Sequence, residues 1–509
     1  MGHARKIRRS IRARSLCAQA GVTTLLVLAF MGIFLIILGT VTSYALEQSR
    51  YGRALLGREQ SLAIAESGLE YYKWFLAHNP GDLTNGTGQP GPYTYTVNDP
   101  EGGVMGNASI SVVGASECGI LQHIDITSKG TSSLDPQFTR TIAVRYMRQS
   151  VAAYSYLLNG NVWAGADRNI TGPYFSNGGI RMDGTNNSDV SSAQATWDCN
   201  SNYGCSPEQK KAPGVVGSGT GYALWHYPVA TIDFGGIDAS LSSLKSYARY
   251  QGGLYFAPAS GSQSSRGYHL IFNSNGTVTV KRVYATYSVP SYSEDTNDLS
   301  RYSGSTFTGW ASEPSIIKSE TTLGTYTVPS ACSLIFVEDR AWIEGVVKGK
   351  VTIVVATPSD PVASTVPTSA YLLNNITYAT NDGSSGLTVI AEDDVLIPLN
   401  SPDTMMIHGI FVAQGGLYGR NFYTNSYSYP SSYRVGSTWS SYVARTLLTT
   451  EGSVVSNMRT GTSWVDGYGN FISGYQNRVD AYDELQASDP PPFTPDATTD
   501  YGYTRWSEQ

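Results

Sequence analysis

Hydrophobic and polar positions follow three successive patterns along the chain. From Val22 to Leu46, VTTLLVLAFMGIFLIILGTVTSYAL, no residue is charged. At about 1.5 Å per residue, this run is long enough to cross a hydrocarbon core of roughly 30 Å as a helix. After Glu47 the pattern becomes amphipathic: Leu55, Leu62, Ala65, Leu69, Tyr72 and Leu76 recur mostly three or four apart, which appends one apolar stripe to the uncharged segment. One continuous helix over 22–78, roughly 85 Å long, is predicted, ended by Pro80 and the turn-rich GDLTNGTGQPGP. A period of two follows in four places: Tyr93, Tyr95 and Val97; Ile110 and Val112; Ile124 and Ile126; Ile142, Val144 and Tyr146. Such alternation gives a sheet with one buried face, which the helix stripe can cover. The simplest arrangement for 22–148 is a long helix on a four-stranded antiparallel sheet; the alternative is a signal anchor followed by an independent β domain.

The third pattern covers residues 150–509, where short apolar runs dominate: LIFVEDRAWIEGVVKGKVTIVVA at 334–356, AYLLNNITYA at 370–379, GLTVIAEDDVLIPL at 386–399, MMIHGIFVAQGGLYG at 405–419 and TLLTTEGSVVSNM at 446–458. They recur loosely every 20–30 residues with Gly, Asn and Asp between them. This spacing predicts a right-handed parallel β-helix-like domain, whose coils bury their apolar residues by stacking; a β-sandwich is the competing fold. The domain is expected to start at 150–193 and resume at 331–488. Residues 194–330 are expected to be a small α/β insertion, because Leu241, Leu244, Tyr247 and Ala248 have helical spacing before Gly252-Gly253, and two strands flank Asn275-Gly276. Residues 489–509, opening on Asp489-Pro490-Pro491-Pro492, are expected to be a Pro-rich C-terminal tail. The predicted fold class is therefore mainly β with one long N-terminal α-helix.

Composition supports an exported protein. Only 15% of the 509 residues are charged, with Gly 53 and Tyr 35, against about 25% charged in average soluble proteins. The net charge is −6, and basic residues do not accumulate on any folded stretch, so no nucleic-acid partner is predicted. The exception is the leader, where Arg5, Lys6, Arg8, Arg9, Arg12 and Arg14 precede Gly21 without an acidic residue. Positive flanks stay inside, which puts the N-terminus in the cytoplasm and the chain after Glu47 outside, as a single-pass membrane protein. An ordinary secretory signal has a shorter apolar region followed by a small-residue cleavage site, so that reading fits poorly.

The basic leader, Gly21, the uncharged helix and Ala65-Glu66-Ser67-Gly68-Leu69-Glu70 together resemble type IV pilins, in particular the PilX-like minor pilin family. The segment IDITSKGTSSLDPQFTRTIAVRYMR at 124–148 is similar to the closing strands of such pilin heads. The resemblance implies a prepilin leader over 1–21, cleavage by prepilin peptidase between Gly21 and Val22, and entry of the helix into a filament by way of the pilus assembly machinery, with other pilin subunits as partners. The fifth mature position is Leu26, where most major pilins carry Glu; tip-type minor pilins tend to lack it. Leu26, Gly32, Gly39, Glu66, Gly68 and Leu69 are the candidate helix-assembly residues. Gly32 and Gly39 share a face that permits close helix approach.

Removal of the leader takes Cys17 with it and leaves Cys118, Cys199, Cys205 and Cys332 outside the membrane. Cys199 and Cys205 close a tight loop, WDCNSNYGC, and are expected to form a disulfide; for Cys118 and Cys332 only the even count argues. No metal site or cofactor is predicted. Polysaccharide chemistry would need paired carboxylates, and the candidates are Asp183, Glu338, Asp339, Glu344, Glu392, Asp393 and Asp394. Glu338-Asp339 and Glu392-Asp393-Asp394 fall at corners between strands, where solvated turns are the ordinary outcome. No nucleophile elbow, phosphate loop or paired-histidine motif is present, so an enzyme is not expected. Binding fits better: Tyr418, Tyr423, Tyr427, Tyr429, Tyr433 and Trp439 concentrate aromatic surface suited to glycans or other cells. The expected function is a type IV pilus-like minor pilin or surface-filament component, inserted in the membrane and then assembled, whose β-rich head serves adhesion or a filament tip. The alternatives are a membrane-anchored cell-surface protein that never polymerises and a polysaccharide-active β-helix enzyme.

Overall fold

The computed structural model describes residues 16–237, 240–258, 267–358 and 368–509, with side chains from residue 21 onward. The basic part of the leader lies outside the described residues. The fold is mainly β with one long N-terminal helix. Two compact units are present: a smaller one of residues 1–112, 126–143 and 507–509, and a larger one of residues 113–125 and 144–506.

In the smaller unit, helix α1 (Leu16–His78) begins ahead of the predicted start and runs unbroken to the predicted end. Strands β1 (Tyr93–Asn98), β2 (Val104–Glu117), β3 (Ile120–Ser132) and β4 (Thr139–Ser150) follow. They form a sheet in the order β1-β2-β3-β4 with a fifth strand, Asp496–Glu508, beside β4; residues 113–117 of β2, 120–125 of β3, 144–150 of β4 and 496–506 of the fifth strand belong to the larger unit. The expected four-stranded sheet thus gains an edge, and the expected C-terminal tail is largely that strand. The four prolines of the tail stop before it, and TTDYGYTRW is rich in β-formers that can extend an open edge.

The predicted stripe on α1 holds from Ala65 to Leu76, but Leu55 is exposed and Leu62 half-buried, and Ser61 and Ile64 take the buried face instead. Ser61, Ile64, Ala65, Leu69, Tyr72 and Leu76 are buried, as are Ala108, Ile110, Ile126 and Ile142 from the sheet. Small residues let helix and sheet approach closely: a Cβ on Gly68 would sit 2.5 Å from Ser128 Oγ and 2.6 Å from Ala108 Cβ. A Cβ on Gly130 would sit 2.0 Å from the backbone oxygen of Ser61. Ser61 Oγ donates to Phe138 O at 2.8 Å, which ties the helix to the backbone of the connection between β3 and β4.

The larger unit is built from parallel ladders. Leu254 pairs with Ile335, Ile335 with Ile353, Ile353 with Val389, Val389 with Phe411 and Phe411 with Val454. Val454 then pairs with Tyr156, Tyr156 with Tyr174, Tyr174 with Val190 and Val190 with Trp225. The chain therefore enters the stack in its middle at Tyr156 and builds to Trp225 at one end. It then crosses to Leu254 at the other end and builds back to meet its own start. All ten of these side chains belong to, or pack on, one core cluster.

The alternate positions face the other way and are also covered. Phe336, Val354, Ile390, Val412, Val455 and Leu157 cluster with Ile237, Leu244 and Ala248 of the returning segment, which carries a helix at Leu241–Tyr250. Burial on both faces explains why LIFV, VTIVV and LTVIA read as unbroken apolar runs. A second parallel ladder joins Tyr268–Asn273, Ala341–Val347, Ala370–Tyr378 and Val395–Leu396.

The insertion expected at 194–330 is accordingly narrower, because Leu254–Phe256 and Tyr268–Asn273 are rungs of the ladders themselves. What stands outside them is a short hairpin, Thr196–Cys199 with Gln209–Pro213, the returning segment, and an antiparallel ribbon of Thr277–Tyr292 against Trp310–Thr327.

Candidate functional site

Two regions carry candidate function, one in each unit. In the smaller unit it is the first half of α1. Val22, Leu26 and every large apolar side chain up to Tyr51 are exposed, and a Cβ on Gly32 or Gly39 would have no atom within 4 Å. This is a helix long and apolar enough to cross a membrane by length and composition. Glu66 is exposed beside it. Gly68 and Leu69 are not part of that free surface: both are buried against the unit's own sheet, so their place in the AE-x-GL pattern is explained by intramolecular packing.

In the larger unit the cysteines pair as Cys199–Cys205 and Cys118–Cys332. The aromatic run divides. Tyr418 and Tyr423 are buried, and burial pushes both phenols well above their ordinary pKa. Tyr418 stacks on Phe411 at 5.9 Å, and Tyr423 donates to Glu313 Oε2 at 2.9 Å. These two are core residues and leave the candidate ligand surface. Tyr427 is 91% exposed. Tyr429, Tyr433 and Trp439 are half-buried, Tyr433 lying flat on Trp310 at 4.3 Å.

The carboxylates singled out from sequence differ in their partners. Asp183 accepts from Trp163 Nε1 at 2.8 Å, Arg181 Nε at 2.7 Å and the Ser218 amide at 2.9 Å. Glu338 pairs with Lys245 at 2.5 Å and accepts from the Tyr255 hydroxyl. Glu344 accepts from His269 at 3.1 Å, and that hydrogen bond holds its carboxyl below the ordinary range. Glu392 accepts from the Thr357 amide at 2.8 Å. Each is therefore bound into the fold.

Asp393 and Asp394 stand apart. They do sit at a corner between strands, but the corner is buried, not solvated, because other corners stack on it. Ala341 pairs with Ala370, Ala370 with Val395 and Val395 with Tyr418. The turns preceding these residues, at Asp339, Thr368, Asp393 and Gly416, are thereby laid over one another about 4.8 Å apart. Into this column comes Asp295, which the sequence reading missed. Asp295, Asp393 and Asp394 are 0%, 1% and 5% exposed, and each offers a carboxylate oxygen within 4.8 Å of the others. Burial pushes Asp393 and Asp394 well above the usual carboxylate range, and repulsion from Asp295 adds to it. A cavity of about 160 Å³ opens beside them, lined also by Asp298, Arg301, Glu313 and Arg340.

No family model matches the sequence, and no curated protein matches it either. Among solved structures, the crystal structure of the competence-associated pilin ComZ from Thermus thermophilus aligns at 13% identity, covering 89% of this chain and 97% of that one, with a TM-score of 0.28. At that score the likeness carries no argument about fold or function.

Proposed function

We propose that the chain is a type IV pilin-like surface protein of the PilX-like minor pilin kind, inserted in the membrane through α1 and then assembled into a filament. The observation that carries this reading is the division of one unbroken helix. Its outer part is packed on a sheet by a single stripe, while its first part is apolar on every side and covered by nothing among the described residues. Such a surface is stable in lipid or among like helices, and poorly so in water. The basic residues ahead of Gly21 and the AE-x-GL pattern support the same reading, with prepilin peptidase acting between Gly21 and Val22. The N-terminus then lies in the cytoplasm before processing, and both folded units lie outside the cell.

The larger unit, in this reading, is a right-handed parallel β-helix that presents a binding surface, without catalysis, for glycans or other cells. Its support is the inward row from Leu254 to Trp225, repeated rung by rung in parallel register. Exposed Tyr427, with the Tyr433–Trp310 stack nearby, is the aromatic surface that remains for recognition. Shearing cells of the native host and blotting for this chain tests the assembly step. A filament subunit appears in the sheared fraction. Complete retention in the detergent-extracted membrane would leave a surface protein that does not polymerise.

A further inference from the structure

Asp295 and Asp394 each commit one oxygen to a backbone amide: Asp295 Oδ1 accepts from Asn297 at 2.8 Å and Asp394 Oδ1 from Leu417 at 2.7 Å. By contrast, Asp295 Oδ2 and Asp393 Oδ1 are buried and have no hydrogen-bond partner among the described residues. Orphaned carboxylate oxygens in the interior are destabilising unless a cation or proton meets them. Two guanidiniums line the cavity: Arg301 is already engaged, donating to the carbonyls of Ser291 at 3.3 Å and Gly309 at 2.9 Å with its Nε facing Asp298 at 3.2 Å, whereas Arg340 Nη2 has no hydrogen-bond partner among the described residues and reaches neither orphaned oxygen.

The space at the corner is also kept open. A Cβ on Gly416 would lie 2.2 Å from Asp394 Oδ1 and 2.8 Å from Asp393 Oδ1, so any side chain there would fill the gap between the two carboxylates. Three carboxylates from two distant segments thus converge, two of their oxygens are unspent, and a glycine leaves room beside them.

We propose that Asp295, Asp393 and Asp394 form a calcium site that pins the ribbon-side loop carrying Asp295 to the stacked corners of the larger unit. The donors are all hard oxygens with neither His nor Cys among them, which suits Ca²⁺ and argues against Zn²⁺. Three carboxylates would make the site strongly charge-complementary to a divalent ion, and backbone carbonyls or water would complete six to eight ligands. The role is structural: the ion replaces repulsion among buried acids with attraction, and it does not depend on whether the chain enters a filament.

The test uses the full chain in detergent, stripped with EDTA and titrated with CaCl₂ by calorimetry and thermal melting, with MgCl₂ as the comparison. Expected are one Ca²⁺ per chain, weaker Mg²⁺ binding, and a melting temperature raised by roughly 5 °C at saturating Ca²⁺. Asp393→Asn and Asp295→Asn, which lie on separate segments, are each expected to abolish the Ca²⁺ response while melting in EDTA at or above the wild type, since each removes a buried charge. A wild-type chain that neither binds Ca²⁺ nor shifts would overturn the site and leave the acids protonated in the native state. So would a wild-type response retained by a folded variant of either residue.

Discussion

Replacing Cys332 with serine lowers the stability of the larger unit by about 5 kcal/mol, the largest single-residue effect expected in this protein. The bridge to Cys118 spans a sequence separation of 214 residues, and a cross-link of that reach removes much of the freedom of the unfolded chain. Both cysteines are buried, so the serine hydroxyl would also be left in an apolar setting beside Leu334 and Ala248. The second bridge gives an internal comparison. Cys199 and Cys205 are separated by 6 residues, and losing that link costs about 2 kcal/mol on the same entropic argument. Urea unfolding of Cys332→Ser and Cys199→Ser under non-oxidising conditions checks the order. Equal midpoints for the two variants would show that the unfolded chain is already restricted across that span without the bridge.

Substituting valine for Gly130 detaches the outer half of α1 from its sheet. A Cβ at this position would lie 2.0 Å from the Ser61 oxygen and 2.6 Å from the Ala65 nitrogen. Both are backbone atoms of the helix, so no side-chain rotation can relieve the clash, and a cost above about 3 kcal/mol is expected. Gly32→Ala is the control, because nothing lies within 4 Å of that position and alanine favours a helix by up to about 1 kcal/mol. Hydrogen exchange of the Ile64–Phe75 amides reports the difference: fast exchange in Gly130→Val and wild-type protection in Gly32→Ala. Protection retained in the valine variant would mean that the helix and sheet can slide apart at little cost.

The long helix was legible because two simple signals meet in it, a run without charge and a stripe at helical spacing. The strands of the larger unit were legible for a related reason. Val354, Ile390 and Val412 face away from the inner row yet are still covered, so their segments are apolar at consecutive positions. The order of the stack was not legible, since the pairing of Val454 with Tyr156 joins segments far apart in the sequence and leaves no local mark on either.

The candidate sites failed and succeeded on similar grounds. Tyr418 and Tyr423 have the same composition around them as Tyr427, and only burial separates them; a phenol can enter a core when its hydroxyl finds a partner such as Glu313. Asp393 and Asp394 were visible as an acidic corner, but their burial depends on the turns stacked on them. Asp295 was invisible, because nothing within its own segment points to the corner it completes. Gly68 was legible only as part of a motif and was expected to serve helix assembly; its packing against Ala108 and Ser128 appears only in three dimensions.

The central claim is that α1 is the processed helix of a pilin-like protein. Mass spectrometry of the N-terminus, on protein purified from its native host, tests it most directly. The account predicts a chain that starts at Val22, the residue after Gly21. A chain that starts at Met1 or Gly2, with its basic leader intact, would contradict it and leave α1 as a plain membrane anchor.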